Sequence, residues 1–341
     1  MPVGSELQIL KVDEMATARR FRFGVRLRNA GRRWGFTRDH MIVPRRPRFG
    51  ARPKQDGVAN VTPQEAAAAA RPRHVWPVLA SLGSLEVRVA QTSHEVKSAQ
   101  RLRYRVFYEE MSAIPTAAMR ISGRDFDKYD AFCDHLLVVD RDTRDHFGEP
   151  KVVGTYRLLR GEVAAAHGGY YTSSEYDLST MLSANPPGTR FLELGRSCVL
   201  KAYRSKAMTM QLLWKGVLAY IARYSIDVMF GCGSLPGTDP NKLALALSYL
   251  HHFHRVPDRM RVRARPELYV NMNRMPKDAI DPKVAMRALP PLIKGYVRSG
   301  VYIGDGAVVD KQFGTTDVLI YLPMSQIDPR LLKKHGTGSK R

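Results

Sequence analysis

The run Phe191-Leu192-Glu193-Leu194-Gly195-Arg196-Ser197-Cys198-Val199-Leu200 decides the fold class, together with the two elements after it. Its density of apolar residues, broken by one acid and one base, predicts a mostly buried strand at Phe191–Leu200. Met210, Leu213, Trp214, Val217, Leu218 and Ile221 then recur at the spacing of one helix face. The short apolar run Asp227–Cys232 predicts another buried strand. Strand, helix and strand in close succession indicate a mixed α/β layer fold.

Within the first strand, Glu193 and Arg196 would face opposite sides if the pleat were regular. Gly195 stands between them, and a mid-strand glycine often marks a bulge. One extra residue reverses the parity and brings both side chains to one face. A carboxylate beside a guanidinium on a rigid strand suits a substrate clamp or proton acceptor. On spacing alone, a structural ion pair is the favoured account of them.

Further elements flank this centre. Upstream, Leu85, Val87 and Val89 alternate as in a strand, and order is expected from about Ser84. Residues 93–111 follow a helical period that puts Arg103 and Phe107 on one face. Asp125-Phe126-Asp127-Lys128-Tyr129-Asp130 gathers three carboxylates, suited to an ammonium group or to a solvated turn, without the glycine spacing of a calcium loop. Strands are expected at Cys133–Asp140 and Val152–Arg160, the second carrying Arg157 inside an apolar run. A buried arginine requires a carboxylate or a bound anion. Lys201, Arg204 and Lys206 precede the clear helix, where phosphate binds well. A Gly/Pro loop leads to a helix at 241–253 bearing His251, His252 and His254, read as core or interface histidines. A proline-rich, loop-like stretch then leads to a last strand at Asp317–Leu322.

The 341 residues carry 54 Lys and Arg against 32 Asp and Glu, formally +22. Such charge favours anionic partners: nucleic acid, lipid headgroups or an acidic protein. It is densest at the start, where residues 1–80 hold 16 basic and 6 acidic residues, net +10, and Pro44, Pro47, Pro53, Pro63 and Pro72 break any long element. Residues 1–83 therefore read as a basic, poorly ordered region, 84–330 as the folded domain, and 331–341 as a basic tail. Cys133, Cys198 and Cys232 are expected as buried free thiols, a usage that fits a reducing compartment. No run of 18 apolar residues occurs, so any membrane contact is expected to be peripheral. A nucleic-acid-binding protein is the alternative class raised by charge, although no helix-turn-helix or single-strand-binding signature accompanies it.

Arg103 with Phe107, Asp127 to Asp130, Gly154-Thr155-Tyr156-Arg157-Leu158-Leu159 and Glu193-Leu194-Gly195-Arg196 follow the order seen in acyl-homoserine-lactone (autoinducer) synthases. Gly237-Thr238-Asp239-Pro240 and the run from Leu289-Pro290-Pro291 through Thr316-Asp317-Val318 resemble instead the ornithine N-acyltransferases of ornithine-lipid synthesis. The second resemblance covers about residues 84–325. It implies a GNAT-like α/β fold, a mixed central sheet flanked by helices. It implies N-acyl transfer of a 3-hydroxyacyl chain from acyl carrier protein to ornithine's α-amine. The lactone-forming activity, which needs S-adenosylmethionine, is the alternative.

On this reading Glu193 is the candidate base, with Arg196 beside it. Arg103, Arg157 or Arg196 would hold the substrate carboxylate, Asp127 and Asp130 an ammonium, and Phe107 the substrate wall. Lys201, Arg204 and Lys206 would meet the carrier's phosphopantetheine. No metal or other cofactor is expected. The partners implied are acyl carrier protein, ornithine and an anionic membrane surface, with the enzyme cytoplasmic and peripheral on the inner face.

Overall fold

The computed structural model describes residues 76–205 and 207–327. The basic segment 1–75, Lys206 and the tail at 331–341 lie outside the described residues, and the expectations placed on them with it.

The strands are β1 Ala80–Leu82, β2 Leu85–Val89, β3 Asp134–Arg144, β4 Pro150–Arg160, β5 Tyr176–Asp177, β6 Phe191–Val199, β7 Val228–Pro236, β8 Arg263–Ala264, β9 Tyr302–Asp310 and β10 Thr315–Pro323. Among the described residues they join in the order β1-β2-β3-β4-β6-β7-β10-β9-β8-β5. Neighbours are antiparallel except β6 with β7 and β8 with β9. The sheet begins before the residue-84 boundary expected from sequence: β1 pairs with β2, and the buried Trp76 ring stacks on Tyr220 at 5.5 Å.

The helix Ser93–Tyr104 starts at a capping box. Thr92 Oγ1 accepts the Glu95 N–H, and Glu95 accepts the Thr92 N–H. It ends in a π-turn, Arg105–Glu110, in which the Met111 N–H reaches the Val106 carbonyl. This turn carries Val106 and Phe107. The helix Ala207–Tyr224 packs on β1 to β4. Gly216 permits the close approach, since a Cβ there would lie 2.6 Å from Val87.

The prolines of the 276–291 stretch act differently from the loop reading. Pro282 and Pro291 begin helices Pro282–Ala288 and Pro291–Arg298, where a missing N–H costs nothing.

The parallel pairing of β6 with β7 covers only Phe191–Glu193 against Val228–Phe230. Beyond it the two strands part, and each keeps a backbone edge facing the gap. Gly231 sits where they diverge: a Cβ on it would lie 2.2 Å from the Leu194 carbonyl oxygen. Gly231→Ala should therefore force the strands apart, with a cost of about 3 kcal/mol. A fall in melting temperature of roughly 6–12 °C is the expected result for a domain of this size.

Candidate active site

The gap between β6 and β7 opens into a cavity of about 480 Å³. One part is apolar, walled by Met210, Met229, Leu292, Tyr296, Ile320 and Leu322. The other is polar and holds Glu193, Arg157 and Arg196, with Glu175, Asp310 and Asp317.

The bulge lies where expected, with a different residue bent. On β4, Tyr156 alone stands opposite both Arg196 and Ser197, because Arg157 pairs with Gly195 and Thr155 with Cys198. The left-handed residue is Arg196, at φ 52°, and not Gly195. A non-glycine residue there carries about 1 kcal/mol of strain or more. The bulge puts Glu193 and Arg196 in one cavity wall. Gly195 leaves the space beside it open, with nothing within 4 Å of a Cβ built on it.

Glu193 is 4% exposed. Its two oxygens accept the backbone N–H groups of Tyr171 (2.9 Å) and Thr172 (2.6 Å). Burial raises its pKa above the usual carboxylate range, opposed by these hydrogen bonds. Arg157 Nη1 donates to both oxygens of Asp127, at 2.7 and 2.8 Å. Arg196 reaches Asp127 and the Tyr171 hydroxyl with Nη2, and lies between the Tyr171 and Phe313 rings.

The structure divides the residues singled out in the sequence. Glu193, Arg196, Arg157 and Phe107 line the cavity, as does Arg204. Arg103, Asp127 and Asp130 do not. Arg103 is fully buried and bound to Asp125 and Asp130. Burial pushes the Asp130 carboxyl up, but the Arg103 hydrogen bonds and charge prevail and hold it at about 2. Asp127 is committed to Arg157 and Arg196. These three residues position the cavity-wall arginines, a role that their sequence spacing did not distinguish from substrate contact. Lys201 is exposed in the short helix Lys201–Arg204, and Arg204 is bonded to the Val199 carbonyl and Glu110. His252 and His254 are satisfied by the Met275 carbonyl and the Tyr249 hydroxyl.

Sequence reasoning missed Glu175 and Asp310 and gave Asp317 no role. The ligand oxygens of these three converge within 4.8 Å of one another. Burial, then the neighbouring Asp317 charge, raises Glu175 to about 7. Burial raises Asp317 to about 6.

A bulged strand parting from its parallel neighbour over a cavity with a buried carboxylate is the site of a GNAT-type acyltransferase, and residues 102–215 match the family described as Acetyltransferase (GNAT) domain. The chain is 53% identical over 266 residues to the L-ornithine N(alpha)-acyltransferase of Rhizobium meliloti (strain 1021), covering 77% of this chain and 88% of that one. It is 49% identical over 266 residues to the protein of the same name from Brucella abortus (strain 2308), covering 77% and 93%. The chain belongs to the L-ornithine N(alpha)-acyltransferase family, as its C-terminal run had indicated. Among solved structures it is similar to FeeM, an N-acyl amino acid synthase from uncultured soil microbes. That likeness covers 71% of this chain and 91% of that one, at 10% identity and a TM-score of 0.41.

Proposed function

We propose that this enzyme moves a 3-hydroxyacyl group from acyl carrier protein to the α-amine of L-ornithine, giving lyso-ornithine lipid. One observation carries the reading: a single cavity at the parting of β6 and β7 combines a buried carboxylate, two guanidinium groups and an apolar arm. Its relatives' shared name supports ornithine as the acceptor.

The acyl chain occupies the apolar arm, whose methionines adapt to a flexible hydrocarbon. The thioester lies along the open edges of β6 and β7. Ornithine's carboxylate meets Arg157 and Arg196, which Asp127 holds in place. Only a neutral amine is nucleophilic, so Glu193 takes the ammonium proton directly or through one water. Its raised pKa suits it to that task. The nitrogen attacks the thioester carbon, and backbone N–H groups near the bulge stabilise the oxyanion. The C–S bond then breaks, the surplus proton of the new amide nitrogen passes to the sulfur, and the pantetheine leaves as a thiol. The thioester supplies the activation, so the reaction calls on no metal or redox cofactor.

Lys201 and Arg204 form the docking face for the acidic carrier and its phosphodiester, and Lys206, close to them in sequence, is a further candidate for that role. Lys201→Glu with Lys206→Glu should raise the KM for the carrier severalfold and leave that for ornithine nearly unchanged. The effect should shrink with added salt, because the Debye length is about 8 Å at physiological ionic strength. Steady-state kinetics at low and moderate salt check this. An effect on ornithine alone would remove the docking face.

The product is a lipid amide, and we place the enzyme in the cytoplasm, peripheral on the inner membrane face. Among the described residues, no helix is long and apolar enough to cross a membrane. The reading is tested by expression in a bacterium lacking aminolipids, with mass spectrometry of the lipid extract. N-(3-hydroxyacyl)ornithine is expected. Its absence from cells containing the folded protein counts against the proposal.

A further inference from the structure

Asp127 and Asp130 were the sequence's candidates for holding the acceptor's ammonium, and both are occupied by arginines. A second acidic group lies in the same cavity. Glu175 follows the turn Tyr171–Ser174, Asp310 ends β9, and Asp317 belongs to β10. Asp317 is 7% exposed. None of the three forms an ion pair with a cation among the described residues. Glu175 accepts only the weak Cys232 thiol donor, at 3.2 Å. Asp317 accepts the Thr315 hydroxyl, and Asp310 the Gln312 and Phe313 N–H groups.

The independent observation lies at Arg196. Its Nε is buried without a hydrogen-bond partner, with the Asp125 carboxylate no nearer than 3.6 Å, and among the described residues Nη1 makes no hydrogen bond. Arg196 lines the same cavity, and its charge is felt at both Glu175 and Asp317. A buried guanidinium with unused donors calls for an anion. Three converging carboxylates, Asp317 buried and the other two half-buried, call for a positive charge. A molecule carrying a carboxylate at one end and an ammonium at the other satisfies both.

We propose that Glu175, Asp310 and Asp317 bind the side-chain ammonium of a basic amino acid whose carboxylate lies at Arg196, and so select the acceptor. This rests on the reading that the acceptor is an amino acid. Part of each group's oxygen capacity is already taken by thiol, hydroxyl or backbone donors. A hard divalent ion requires six or more oxygens and is poorly served. An ammonium needs three acceptors, and three carboxylates meet here.

The test compares L-ornithine with L-norvaline, which has the same three-carbon side chain without the ammonium. Wild-type kcat/KM should favour ornithine by ~100-fold or more, since a site built for a polar group rejects the analogue lacking it. Glu175→Gln and Asp317→Asn should each narrow that ratio by roughly tenfold or more, chiefly through the KM for ornithine. If Asp317→Asn fails to fold, the less buried Glu175→Gln decides. Ratios unchanged in folded variants, or a wild type indifferent between the two acceptors, would overturn the inference while leaving amino-acid acylation standing. Loss of the ratio on chelation, restored by Mg²⁺ or Ca²⁺, would also overturn it. A wild type that acylates no amino acid would instead remove the underlying reading.

Discussion

Glu193→Gln is expected to lower kcat/KM by roughly a hundredfold or more, the usual loss for a general base. The substitution also alters structure. Both carboxylate oxygens accept backbone N–H groups, from Tyr171 and Thr172. A glutamine presents an NH₂ to one of them and loses that bond. The turn so released carries Tyr171, whose ring backs both Arg157 and Arg196. The pH profile separates the base from the anchor. Because burial raises the Glu193 pKa, wild-type kcat/KM should climb with pH as this group ionises. Glu193→Gln should lose that limb. A variant that is slow but keeps the wild-type profile would assign Glu193 to anchoring alone.

Arg103→Ala should destabilise the domain by about 3–5 kcal/mol, because it strands two buried carboxylates. Arg103 Nε meets Asp125 at 2.6 Å, while Nη1 and Nη2 meet the two Asp130 oxygens at 2.8 Å. Nη2 also donates to the Asp125 carbonyl at 2.7 Å. For a domain of this size the melting temperature should fall by roughly 6–20 °C. The pH dependence comes from Asp130. Its folded pKa lies at about 2, below the ordinary value of 3.8, so its stabilising contribution is present above pH 3.8 and is lost as pH falls through 2. In Arg103→Ala that acid limb should shrink, because without Arg103 the folded pKa of Asp130 rises toward its ordinary value. Arg103→Lys should rescue little, since an ammonium cannot reproduce the forked geometry. An unchanged melting temperature with lost activity would return Arg103 to the substrate, where sequence order alone had put it.

The contrast between Arg103 and Arg157 shows what the sequence could disclose. Arg157 stands in an apolar run, where the chemistry demanded a carboxylate or bound anion, whereas Arg103 lies among polar residues on a helix face. Which arginine also faces the cavity depends on how the helix Ser93–Tyr104 seats against β4 and β6, and that is a matter of packing. The strand–helix–strand centre was legible because its apolar periods are strong. β9 was not: Gly304 and Gly306 interrupt its apolar pattern, yet both face close neighbours that would clash with a Cβ. The bulge was legible from Gly195, but its bent residue was not, since the strain at Arg196 arises from pairing with β4. Asp310 and Asp317 come from the paired strands β9 and β10, but Glu175 lies far from them in the chain, and no local pattern joins it to them. Asp310 and Asp317 both lay in the run marked by resemblance, but only Asp317 was among the residues named for it.

The proposed function requires one cavity to bring a thioester and the α-amine of ornithine together. The most direct measurement uses the purified enzyme with 3-hydroxyacyl carrier protein and ornithine labelled with ¹⁵N at the α-position, with the amide linkage read by fragmentation mass spectrometry. The predicted result is an acyl group on the labelled nitrogen, and no such product when Glu193→Gln is assayed for the same time. Acylation of the unlabelled side-chain nitrogen, or thioester loss by hydrolysis without any amide, would contradict it.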